Sequence, residues 1–148
     1  MKQEKEQLAS LIIILVLLLI IPLKIISFGW FPPDDAMRHV AFSTLDCKWS
    51  DILVIDSKFD TDHNAGWHQI LRFLHKKCNI SKIGLLRFSI IALFLLINIC
   101  GIISSPSAIC WLLSVFFLLI SDFGLLWRFM LGRPYIVSCA VTLIVLRL

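Results

Sequence analysis

Charge is what this chain has least of. Asp, Glu, Lys and Arg make up only 16% of its 148 residues, against 59% hydrophobic residues and a mean hydropathy of +0.90. A soluble domain carries about 25% charged residues, so the composition excludes that class and indicates a membrane protein. The net charge of +4 is too small for a nucleic-acid binder or a polybasic lipid-binding tail. The five cysteines, Cys47, Cys78, Cys100, Cys110 and Cys139, show no C-x-x-C spacing. Three lie in apolar runs, where cysteine acts as a small buried hydrophobe. Cys47 and Cys78 lie in a polar stretch, and a disulfide between them is open if that stretch faces an oxidising compartment. There is no H-E-x-x-H pattern, no internal repeat, and no low-complexity segment besides the apolar runs.

What charge there is gathers in one place. Seven of the ten acidic residues and all four histidines fall between Gly29 and Gly84. Residues 1–28 read as an anchor, with an apolar run over Leu8 to Phe28. No small-x-small cleavage site follows it, so it reads as an uncleaved anchor and not a signal peptide. Phe28, Trp30 and Phe31 mark a membrane–water interface. Residues 29–84 read as an extramembrane loop, and residues 85–148 as further spans. Leu85 to Ile103 and Ala108 to Leu126 are each long enough to cross a bilayer core, which takes about 20 residues. Tyr135 to Leu148 is a shorter apolar run that reads as an incomplete fourth span. The expected fold class is all-α: a polytopic membrane protein of three to four transmembrane helices with a helical loop.

Two helices are expected within the loop. Pro33 suits a first helical turn, and Asp34 and Asp35 suit the positive end of the dipole. Met37, Val40, Ala41 and Leu45 would form the apolar stripe of that helix. Gly66 to Lys77 reads as a second amphipathic helix with Trp67, Ile70, Leu71 and Leu74 on its apolar face and Asn79 as C-cap. His68 and His75, two turns apart, are expected at its surface. Asp60-x-Asp62-His63 is expected to be a solvated loop, although its spacing also suits oxygen ligation.

Adjacent carboxylates at a membrane-proximal helix start can bind a metal, or one can act as a general base; on spacing alone helix capping, worth roughly 0.3–1 kcal/mol, is the favoured reading. Arg38 and His39 follow Asp34 and Asp35 at i+4, so ordinary ion pairs are open too. Asp122, an acid near the end of an apolar run, is expensive in a membrane and marks a functional position. Arg128 and Arg133 are near it in sequence, and arginine grips phosphate in a bidentate manner. Interfacial anchoring is the plain alternative.

An anchor span followed by Pro33-Asp34-Asp35-Ala36 at the head of a large polar loop resembles the GT-C class of polytopic membrane glycosyltransferases, as do the segments Gly66-Trp67-His68 and Gly132-Arg133-Pro134-Tyr135. The resemblance implies a polyprenyl-phosphate-linked sugar donor, an extracytoplasmic first loop and more spans than this chain offers. The chain is therefore expected to be an N-terminal portion, completed by a further membrane chain or region. Asp34 or Asp35 would be catalytic, deprotonating or orienting the acceptor. His39, Asp122, Arg128 and Arg133 would bind substrate, the arginines holding the donor phosphate. No residue is assigned to a metal and the cofactor is left open; the expected partners are the bilayer, the lipid-linked donor and a further membrane chain completing the bundle. Seven Lys and Arg residues in the loop, against two at the N-terminus, would by themselves put the loop in the cytoplasm. Following the resemblance, it is placed outside a bacterial inner membrane. The alternative function is a small non-catalytic membrane subunit or remnant.

Overall fold

A computed structural model describes residues 8–9, 11–16, 19–20, 23, 35–45, 47–52, 61–121 and 131–147. Every described element is helical, and no strand occurs among the described residues. The elements are α1 (Asp35–Thr44), α2 (Trp49–Ile52), α3 (Ala65–Cys78), α4 (Lys82–Ser104), α5 (Ala108–Ser121) and α6 (Tyr135–Val145). The described residues between 8 and 23 are also helical.

The longest element is α4, around which the others assemble. Ser81 caps its start, its hydroxyl accepting the Gly84 N–H at 3.1 Å, as an N-cap serine does for an otherwise orphaned donor. Its 23 residues then run almost without charge, about 35 Å at 1.5 Å per residue. By length and composition it is the one helix among the described residues able to cross a membrane. The described parts of the next two apolar runs, α5 and α6, are shorter, with 14 and 11 residues. Helices α1, α3, α5 and α6 all pack on α4. Ala36, Val40, Leu71, Leu85, Leu86, Ile90, Phe94, Leu112, Val115 and Leu119 form the core, and Leu11, Ile14, Leu15 and Leu19 of the N-terminal helical residues lean against it.

Between α4 and α5 the chain turns through Ser105, Pro106 and Ser107, and the two helices close tightly. The Trp111 ring lies over Gly101, where a Cβ would come within 2.0 Å of it. Asn98 is 0% exposed. Its amide donates to the Phe94 carbonyl at 2.8 Å, and its Oδ1 accepts the Trp111 indole N–H at 3.3 Å. Both ends of a polar side chain set in an apolar helix are thus satisfied, which removes most of its burial penalty.

The faces of α1 and α3 differ from the sequence expectation. Met37 and Leu45, placed on the buried stripe of α1, are 50% and 47% exposed. The buried face is Ala36, His39, Val40 and Ser43, still at helical spacing but turned by about one residue. Ser43 satisfies its hydroxyl on the His39 carbonyl at 2.7 Å. On α3, Ile70 is exposed, while His68 and Leu71 are buried with Trp67 and Leu74 half-buried. Both rotations have one cause: His39 and His68 point at each other, and a buried hydrogen bond between them sets the faces that meet. Asn79 does cap α3. It takes the left-handed conformation (φ 53°), and the Ile80 N–H reaches back to the Leu74 carbonyl at 3.3 Å. His75 adds to this end by donating to the Ile80 carbonyl at 2.9 Å. Cys47 and Cys78 are both free thiols, so the disulfide left open by the sequence is not formed.

Candidate functional site

The site is built where α1, the head of α3 and the turn before α6 meet. Asp35 opens α1 and lies in its first turn, where the dipole favours a carboxylate. Arg133 arrives from the other end of the sequence because residues 131–134 turn sharply. Gly132 takes φ 57°, a region that disfavours a side chain, and a Cβ there would press to 3.2 Å from Ala36 Cβ and 3.6 Å from Ser89 and Ile90. A small residue therefore lets the turn settle onto α1 and α4. The next residue, Arg133, then forms an ion pair through Nε with Asp35 Oδ2. Arg38 approaches Asp35 Oδ1 at 4.0 Å from one turn further along α1. One carboxylate thus stands between two guanidinium groups.

These groups border a cavity of about 510 Å³. Its wall is completed by His39, Trp49, Asn64 and Tyr135, a mixture of charge, amide and aromatic surface suited to a polar ligand with an apolar part. Trp49 is held by the one-turn helix α2, stacked on Phe42 with ring centres 4.5 Å apart, and its edge meets the His39 ring at 5.9 Å.

Behind the wall lies a line of three side chains. His39 Nδ1 is 2.7 Å from His68 Nε2, and His68 Nδ1 is 2.8 Å from Asp62 Oδ1. The Asp62 carboxylate also accepts the Asn64 N–H at 2.9 Å, a local turn that delivers the chain into α3. A carboxylate only accepts, so His68 carries its proton on Nδ1 and its neutral Nε2 accepts from His39 Nδ1. The remaining His39 nitrogen, Nε2, has no hydrogen-bond partner among the described residues. Burial pushes the His39 pKa down, aided by repulsion from His68 and Arg133 and opposed by Asp35 and Asp62, to about 4. Burial works to raise the Asp62 carboxyl. Its hydrogen bonds from His68, Asn64 and Trp49, and the charge of His68, outweigh that effect and hold it below the ordinary value.

Of the residues singled out in the sequence, Asp35, His39 and Arg133 converge on the cavity. Asp34, Asp122 and Arg128 lie outside the described residues. Sequence reasoning missed Asp62 and His68. Asp62 is no solvated loop acid, and His68, expected at the surface, is 1% exposed. The available signal was position: His68 precedes Leu71 by three residues, so both share the inner face of α3. His63 also lines the cavity but is exposed. Among the described residues, no group of three or more His, Cys, Asp or Glu side chains is placed to hold a metal ion. Comparison with protein-family models, with curated proteins and with solved structures finds no match to this chain, so the reading of the site rests on its own geometry.

Proposed function

We propose that this chain is part of a polytopic membrane glycosyltransferase that moves a sugar from a polyprenyl-phosphate-linked donor to a hydroxyl acceptor. The observation that carries the reading is the meeting of Asp35 and Arg133, far apart in sequence, at one cavity beside a helix long enough to cross a bilayer. Arg133 and Arg38 bring guanidinium groups to a cavity large enough for a sugar and a phosphate, and such groups match the geometry of phosphate oxygens. Asp35 steadies Arg133 and offers carboxylate oxygens to sugar or acceptor hydroxyls. The many exposed apolar side chains on α5 and α6 and among the N-terminal helical residues, such as Phe117, Ile120, Val141, Val145, Leu8 and Ile13, suit contact with lipid. They support a chain that crosses the membrane more than once, with the cavity near one face of it.

The test is sugar transfer by the protein in lipid nanodiscs, with a polyprenyl-phosphate-linked sugar as donor. Arg133→Ala is expected to weaken donor binding, and Asp35→Asn to slow transfer. A wild-type protein that neither transfers sugar nor binds polyprenyl phosphate overturns the reading in favour of a non-catalytic membrane subunit.

A further inference from the structure

A cluster of histidines buried beside a cavity has a bland explanation: a satisfied polar knot that fixes how two helices meet. The Asn98–Trp111 contact is such a knot, with both ends of its amide used. The Asp62–His68–His39 line differs at one end. Asp62 is anchored by the Asn64 N–H and His68, and both His68 nitrogens are used. At the other end His39 borders the cavity, and one of its ring nitrogens is left over. If helix contact alone were being served, apolar residues at 39 and 68 would serve it without burying two imidazoles, whose desolvation must be offset by hydrogen bonds.

We propose that Asp62, His68 and His39 form a proton relay in which His39 Nε2 is the general base toward a hydroxyl group bound in the cavity. The inference rests on the sugar-transfer reading for the identity of that hydroxyl, and it names the catalytic residue that the reading left open. Asp35 pairs with Arg133 and lies 4.0 Å from Arg38, whereas the unbonded nitrogen of His39 carries a lone pair. In the transfer step the acceptor oxygen bonds to the anomeric carbon of the sugar. The bond from that carbon to the donor phosphate oxygen breaks, and its electron pair leaves with the polyprenyl phosphate, beside Arg133. The acceptor proton passes to His39 Nε2, and the Nδ1 proton of His39 passes to His68 Nε2. His68 is then an imidazolium whose Nδ1–H is held by the Asp62 carboxylate. Proton loss from His39 Nε2 to water, with return of the proton from His68 to His39 Nδ1, resets the line.

The surroundings fit this role. The charged groups facing His39 are Asp35 on its own helix, Arg133 from the turn before α6, and Asp62 and His68 from the head of α3. Arg38 and His63 stand further round the wall. Burial keeps His39 unprotonated near neutral pH, so its lone pair is available. Asp62 puts negative charge at the far end of the line, where positive charge would collect. Removing a general base typically costs roughly 10²- to 10⁴-fold in rate.

Two measurements test the relay on the whole chain in nanodiscs. The first is histidine ¹⁵N NMR near neutral pH, which reports tautomers independently of turnover. The Nδ1–H form is expected at both His39 and His68, and Asp62→Asn is expected to disturb both signals. An Nε2–H tautomer at His39 overturns the relay, because its lone pair then points at His68. The second is sugar transfer. His39→Gln should lose roughly 10²- to 10⁴-fold in kcat with donor KM little changed. Asp62→Asn, at a positioning residue, should move the acidic limb of the pH–rate profile. Full transfer by His39→Gln sinks the relay and leaves the sugar-transfer reading standing. The expected tautomers in a wild-type protein that transfers no sugar would support the relay, for another hydroxyl substrate, and sink the sugar-transfer reading instead.

Discussion

Two buried polar contacts among the described residues join helices of this assembly, and they are built to different ends. Between α4 and α5, Asn98 and Trp111 close on each other and on the Phe94 carbonyl. Between α1 and α3, His39 and His68 close on each other and on Asp62, but the chain of bonds opens onto a cavity. The first is what burial physics asks of a polar group in apolar surroundings: the amide nitrogen and the amide oxygen each have a partner within the helix pair. The second leaves one nitrogen over, next to Arg133 and Asp35. A polar group that burial does not need and that faces a cavity marks function more strongly than a polar group that is merely buried. In the chain itself both kinds look alike, a lone polar residue beside apolar ones.

The sharpest way to break this comparison is His68→Leu. It leaves the buried His39 Nδ1–H without an acceptor and takes one of several donors from the half-buried Asp62 carboxylate, and a buried group so orphaned costs about 1–3 kcal/mol. The loss of stability by chemical unfolding in detergent should be about 3 kcal/mol, the upper end for one orphaned buried group and among the largest of the set. A value under about 1 kcal/mol would mean that the pair is wetter than its burial indicates.

A pH series probes the same contact. His39 titrates at 6.5 when unfolded and about 4 when folded. Below pH 6.5 the unfolded chain binds a proton that the folded one refuses, so stability falls as pH drops toward 4 and then levels off. That shift corresponds to a loss on the order of 3 kcal/mol. The depressed Asp62 carboxyl adds a further loss only below about its ordinary value of 3.8. His39→Gln should flatten the curve between pH 6.5 and 4. An unchanged slope would show that another group carries the dependence.

At the other contact, Gly101→Ala drives a methyl into the Trp111 ring. It should cost about 1–3 kcal/mol as overpacking, with the proposed sugar transfer by the surviving folded protein unchanged. Trp111→Phe removes the donor to Asn98 Oδ1 and should cost about 1 kcal/mol, again without touching the cavity. If either change lowered transfer in proportion to an Asp35 or Arg133 substitution, the two contacts would not be separable. The smallest effect is expected at Asn79. Asn79→Gly relieves the left-handed conformation at the end of α3 and should shift stability by only a few tenths of a kcal/mol, because both residues are accepted there.

Much of the assembly could be read from the chain itself. Low charge and long unbroken apolar runs pointed to helices, since a helix satisfies its backbone within one segment, whereas the strands of a membrane barrel alternate apolar and polar residues. Ser81 and the Ser105–Ser107 turn lie where local chemistry starts and stops helices. Asn79 was legible as a cap because a left-handed residue after a helix favours Asn or Gly whatever lies nearby. Local rules of this kind act within about one helical turn, so sequence determines them. Tertiary structure decided which face of α1 and α3 turned inward. Met37–Val40–Ala41–Leu45 is the more apolar stripe, yet Ala36–His39–Val40–Ser43 is buried. The choice depends on a hydrogen bond between residues 39 and 68 and on a glycine turn that lets Arg133 reach Asp35. Hydropathy scores a histidine as if it stood alone; the burial of this one follows from a partner on another helix, and no reading of either segment by itself contains that partner.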